Sequence, residues 1–126
     1  MKLSKIVDPR FFAVLGRLST EAIPLRVTFK LKGIVKIANE EFVKYEEIRQ
    51  AAIMKYGVKN EDGTIKLDEK SNASFDEAGM NSFLKELNDV MAIDIALPTI
   101  TLSELGENIK ISLNDLEVLS GVIVEN

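Results

Sequence analysis

Residues 24–57, PLRVTFKLKGIVKIANEEFVKYEEIRQAAIMKYG, decide the architecture. Val27, Leu31, Val35, Ala38, Phe42, Tyr45, Ile48 and Ala52 recur there at steps of three or four, the spacing that lines side chains along one face of a helix. The residue before Pro24 is biased away from helical geometry, so a break separates this segment from what precedes it. Tyr56-Gly57 closes the segment, with glycine offering the left-handed C-terminal position. Unbroken, about 33 residues span roughly 50 Å. That is more than a chain of 126 residues needs for a compact core, and it predicts a coiled-coil-like packing surface or an arm. Gly33 is the weak point, because glycine costs about 1 kcal/mol against alanine inside a helix.

The helix also carries apolar residues off that stripe: Leu25, Phe29, Ile34, Ile37, Val43, Ile53 and Met54. This exceeds what one packing face requires: either helices cover it on two sides within the fold, or Leu31, Val35, Ala38, Phe42 and Tyr45 form an interface with another polypeptide or a second copy. Arg26, Lys30, Lys32 and Lys36 form a locally basic stretch, whereas acids dominate from Glu40 onward. Such asymmetry steers charged partners, and it makes these four residues the candidate nucleic-acid patch.

Outward from this segment, Asp8-Pro9 is a helix start: the aspartate caps free N–H groups and the proline has its φ already set. Phe11, Phe12, Val14, Leu15 and Leu18 follow at helical spacing, with an end expected near Thr20. On the other side, residues 58–73 are polar, with a turn at Asp62-Gly63 and a short strand expected over 64–67. Ser74-x-x-Glu77 matches a capping box, and Met80, Phe83, Leu84, Leu87 and Met91 give the following helix its apolar face. Residues 93–102 alternate and read as one or two strands, bent at Pro98; residues 108–111 are a further strand candidate. Ser112-x-x-Asp115 opens a last helix with Leu113, Leu116, Leu119 and Val122 or Ile123 expected inward. The predicted fold is a helix-rich α+β domain: a long central helix, an N-terminal helix, two further helices and a small antiparallel β element. It is read as a single domain over 1–126, with a helical hairpin-like part at 1–57 and a smaller α+β part at 58–126.

Composition removes much chemistry. The chain has 46% hydrophobic residues, 20 acidic and 16 basic residues, and no His, Cys or Trp. Without histidine there is no imidazole base or ligand; without cysteine there is no thiolate nucleophile, zinc cluster or disulfide. The net charge of −4 argues against duplex nucleic acid as the main partner. Residues 58–69 resemble a calcium loop, with Asn60, Asp62, Gly63 and Glu69 in fitting positions, but Val58 stands where the first carboxylate belongs and Lys66 intrudes. A hairpin turn explains that stretch better. The pairs Glu40-Glu41 and Glu46-Glu47 lie within one turn of Lys44 and Arg49, which points to a salt-bridged face rather than a proton-sharing site. Phosphate-cradling and nucleophile-elbow glycine motifs are absent. No catalytic residue, cofactor or metal site is expected. Asp8, Pro9 and Arg10 interrupt the apolar run after Met1, and no apolar stretch reaches membrane-span length, so no signal peptide or membrane span is expected.

Several of these features together resemble a group of small proteins encoded by tailed phages and prophages of low-GC Gram-positive bacteria. They are Ile23-Pro24 before a lysine-rich helix, the Phe42 to Glu47 region, Lys55-Tyr56-Gly57 and Asp62-Gly63. Phe83-Leu84-Lys85-Glu86-Leu87-Asn88, Leu105 and Ser112-Leu113-Asn114-Asp115-Leu116 extend the likeness from about residue 18 onward. The resemblance implies a non-enzymatic accessory role through protein contacts, in virion or tail assembly or against a host protein such as a defence nuclease. It places the chain in the host cytoplasm or the virion, and homo-oligomers are expected. A nucleic-acid-binding accessory factor using residues 26–36 is the alternative.

Overall fold

The structure is a computed structural model that describes residues 1–125. Helices dominate. In chain order they are α1 (Leu3–Ile6), α2 (Pro9–Leu18), α3 (Leu25–Tyr56), α4 (Glu77–Met91), α5 (Leu102–Leu105) and α6 (Leu113–Val118). Two strands, β1 (Ile100–Thr101) and β2 (Ile123–Val124), complete the set. The residues gather into two compact units: unit 1 holds Met1–Phe42 and Ile93–Asn126, and unit 2 holds Val43–Ala92. The division falls inside α3, between Phe42 and Val43, where the sequence carries no turn residue.

Unit 1 is built by the chain returning to its own beginning. Leu3 N donates to Ile93 O at 2.9 Å and Ile95 N to Met1 O at 2.8 Å, so the start of the chain pairs with the segment after α4. Asp8 accepts from Arg10 N and caps α2, with Pro9 at its first position, as its sequence predicts. Phe11, Leu15 and Leu18 of α2 are buried, together with Val27, Leu31, Ile34 and Ala38 of α3. Ile100, Leu105, Leu119 and Val122 close over them. Burying a side chain of this size is worth about 1.5–3 kcal/mol, and it is this burial that holds the unit together.

The β element corrects the expected antiparallel arrangement. β1 and β2 pair in parallel, Ile100 opposite Ile123 and Thr101 opposite Val124. Parallel neighbours need a crossover rather than a tight turn, and α5 and α6 supply it. Residues 108–111, expected as a strand, are irregular. The crossover contains a cap the sequence reading passed over: Thr101 and Glu104 form a capping box at α5, and Ser112 and Asp115 form the expected one at α6. Leu119, Val122 and Ile123 are buried as their spacing predicts and Val118 joins them, but Leu113, expected inward, is 85% exposed.

Unit 2 has a thin core of Tyr45, Ala52 and Phe83, with Phe75 stacked on Phe83 at a ring distance of 4.9 Å. The stretch after α3 forms two tight loops in place of a strand. Val58 N donates to Ser74 O (2.8 Å), Lys66 N to Val58 O (2.8 Å) and Ser74 N to Lys66 O (2.9 Å), closing a ring of three backbone bonds. Ser74 is thus engaged here, and the cap of α4 is Asp76, which accepts from Gly79 N at 2.6 Å. Gly57 ends α3 without adopting the left-handed conformation. Its role is space: a Cβ there would lie 2.7 Å from Ile53 O.

Candidate protein-binding surface

On α3 the buried positions are Val27, Leu31, Ile34, Ala38, Tyr45 and Ala52. At about 100° per residue they share one direction. Of the residues expected to face a partner, Leu31 (2% exposed), Ala38 and Tyr45 are therefore occupied by the chain's own packing. Burial pushes the Tyr45 phenol above its usual pKa. Val35 and Phe42 lie at the edge of this stripe, roughly 60–80° round the helix from its centre, and are half-buried. The sequence stripe ran through Val35 where the packed one runs through Ile34.

Val35 lines a groove in unit 1. Phe12, Leu15, Gly16 and Ser19 of α2 and its C-cap face Leu31, Lys32 and Val35 of α3 across a cleft of about 310 Å³. Beyond Val35 the edge-to-face pair of Phe12 and Phe42, with ring centres 6.0 Å apart, joins the same two helices. The Ser19 hydroxyl donates to Gly16 O at 2.7 Å, so its polarity is already satisfied within α2. A Cβ on Gly16 would meet no atom within 4 Å. Neither packing nor backbone conformation requires glycine there, although it weakens a helix by about 0.5–1 kcal/mol. Its effect is to keep the groove open.

Past Lys32 the helix surface continues into Leu25, Phe29 and Lys36. Leu25 is 86% exposed and Phe29 81% exposed, one turn apart on the same face. They lie roughly opposite the buried stripe, and two large side chains so open to water on one face are candidates for contact with another molecule.

The four cations of the basic stretch do not form one patch. Arg26 and Lys30 share a face, Lys32 and Lys36 another, about 120° apart. Lys30 is neutralised by Glu104, Nζ to Oε2 at 2.6 Å. Among the described residues no ion pair engages Lys32 or Lys36, and both are exposed.

Unit 2 has its own cleft, about 390 Å³, lined by Ile48, Ala51 and Ala52 of α3 and Leu87 and Val90 of α4. Lys55 and Glu86 bridge its edge at 3.5 Å. In the loop whose sequence partly matches a calcium site, the Asp62 carboxylate accepts from Thr64 N (3.0 Å) and Thr64 Oγ1 (2.6 Å), and these bonds hold its pKa down. Among the described residues no three carboxylates converge as a metal site would need. Glu46 is paired with Arg49 at 3.1 Å, as the salt-bridged face predicts. No described helix is long and apolar enough to cross a membrane. No family model matches the chain, and neither curated proteins nor solved structures give a significant match.

Proposed function

We propose that the chain is a non-enzymatic phage or prophage accessory protein that acts by binding another protein, either as a component or helper of virion or tail assembly or as an inhibitor of a host protein such as a defence nuclease. The phage assignment rests on the resemblance given above. The binding role rests on the apolar surface that α3 leaves uncovered: Leu25 and Phe29 stand in water, and the chain itself does not fill the groove between α2 and α3. Binding through nucleic acid is the second reading, favoured by the exposed Lys32 and Lys36 but weakened by the pairing of Lys30.

The test mixes the full chain with purified products of the neighbouring genes and measures complex formation by light scattering and interferometry. A complex is expected that persists at high salt and is weakened at least about tenfold by Phe29→Glu, since a charge in an apolar contact is strongly unfavourable. Tail or capsid partners would assign the assembly role; an early gene product or host enzyme would assign inhibition. Absence of any complex, or a gel shift with nucleic acid that falls steeply with salt and is lost in Lys32→Glu/Lys36→Glu, would replace this reading with the second.

A further inference from the structure

The groove in unit 1 is specific about what it accepts. Its walls are two helices, and the backbone amides and carbonyls within helices are already bonded to each other. An extended peptide would find no sheet edge to pair with, so its own backbone groups would lose water without replacement. A helix, which satisfies its backbone internally, meets no such cost. The floor, made by Phe12, Leu15, Leu31 and Val35, is apolar and calls for aliphatic or aromatic side chains spaced one turn apart. The one charged residue lining it is Lys32, and Lys36 stands one turn further along. The absence of a side chain on Gly16 leaves room for a close approach.

We infer that this groove receives an acidic amphipathic helix from the partner protein, its apolar residues on the floor and its carboxylates against Lys32 and Lys36. The inference rests on the protein-binding reading and names the chemistry of the partner's contact. The same charges disfavour a second copy of the chain docking through this face, because its Lys32 and Lys36 would be brought against the same cations.

The probe is a displayed library of helical peptides with fixed leucines one turn apart and randomised flanking positions, selected against the full chain. Enrichment of Asp and Glu in the flanks is expected, and synthetic versions should bind with an affinity that falls at least about tenfold in Lys32→Glu. Gly16→Leu should abolish binding while leaving the circular-dichroism melting curve no lower than that of the parent, since its side chain enters open space. Lys32→Glu alters only an exposed charge and keeps the test valid if Gly16→Leu perturbs the fold. Enrichment of basic or neutral flanks, no enrichment, or equal binding by both variants would overturn the inference. So would a homodimer that Gly16→Leu dissociates. If the groove variants leave a complex with a neighbouring gene product intact while Phe29→Glu breaks it, this inference fails and the protein-binding reading stands.

Discussion

Lys30 Nζ sits 2.6 Å from Glu104 Oε2, tying α3 to the short helix α5 inside unit 1. The other carboxylate oxygen of Glu104 accepts from Thr101 N at 3.3 Å and from the Thr101 hydroxyl at 3.2 Å. One side chain therefore caps α5 and holds a cation of α3. Replacing either partner alone, by Glu104→Gln or Lys30→Met, should lower the melting midpoint by a few degrees at most, as ion pairs that water still reaches do. Because the two residues share one interaction, the double variant should lose less than the sum of the single losses. Strict additivity in thermal unfolding would show that the pair contributes nothing.

Acid should unfold the protein through a small set of carboxylates. The Lys30 ammonium holds the Glu104 carboxyl below its ordinary pKa, the Ser112 backbone N–H and then Arg17 do the same for Asp115, and Arg10 does so for Asp8. A carboxyl lowered in the folded state stabilises fully above its unfolded pKa, and that contribution is lost as pH falls through the folded one. With no histidine in the chain, stability should be flat from about pH 6 to 8 and decline below about pH 4. Urea unfolding across this range checks it; Asp115→Asn should flatten the acid limb, and a marked slope near pH 6.5 would contradict the assignment.

Two glycines in helices should respond oppositely to alanine. Gly79 approaches the end of α3 so closely that a Cβ would lie 2.5 Å from Tyr56 O. Gly79→Ala should cost about 1–3 kcal/mol, the range for forced overpacking. Gly16 faces open space, and Gly16→Ala should add about 0.5–1 kcal/mol by restricting the unfolded chain. Denaturant midpoints of the two variants should fall on opposite sides of the parent.

Leu113 and Leu119 lie on and just after the same short helix but differ fully in burial, at 85% and 0% exposed. Leu119→Ala should destabilise by about 2–5 kcal/mol, through lost burial and the cavity it leaves. Leu113→Ala should stay within about 0.5 kcal/mol of the parent. Equal effects in chemical denaturation would mean that α6 is turned the other way.

Hydrogen exchange should separate the two units. Unit 1 buries residues from α1, α2, α3, α5, α6 and both strands, whereas the buried residues of unit 2 are Tyr45, Ala52 and Phe83. Amides of α4 should therefore exchange faster than those of α2, since local opening is easiest where few apolar contacts resist it. Comparable protection in both would indicate a single cooperative block.

The parts of the fold that depend on near neighbours could be read directly from residues. Asp8-Pro9, the periodicity of α3 and Ser112-x-x-Asp115 each act within a turn or two, and each appears where its chemistry places it. Thr101-x-x-Glu104 had the same signature and was hidden by the alternation of residues 93–102. The parallel pairing of β1 with β2 and the return of residues 93–95 to Met1 and Leu3 are long-range events with no local signal. That return also explains the surface. Val27, Leu31, Ile34 and Ala38 of α3 are used within unit 1 once residues 93–124 fold back, while Leu25 and Phe29, which lie off that stripe, are left in water. Of the expected contact residues, Leu31 and Val35 still line the groove, but only the packing of α2 against α3 reveals the groove itself.

The ring formed by Val58, Lys66 and Ser74 has a practical corollary. Each corner donates one amide N–H and accepts another at its carbonyl oxygen, so a proline at any of the three would remove a donor and release both loops together. The tips at Gly63 and Lys70 lie outside that ring and are open to water. A fluorophore or epitope tag grafted at either tip should leave the loops closed, which makes them the natural handles for reporting on this molecule inside a cell.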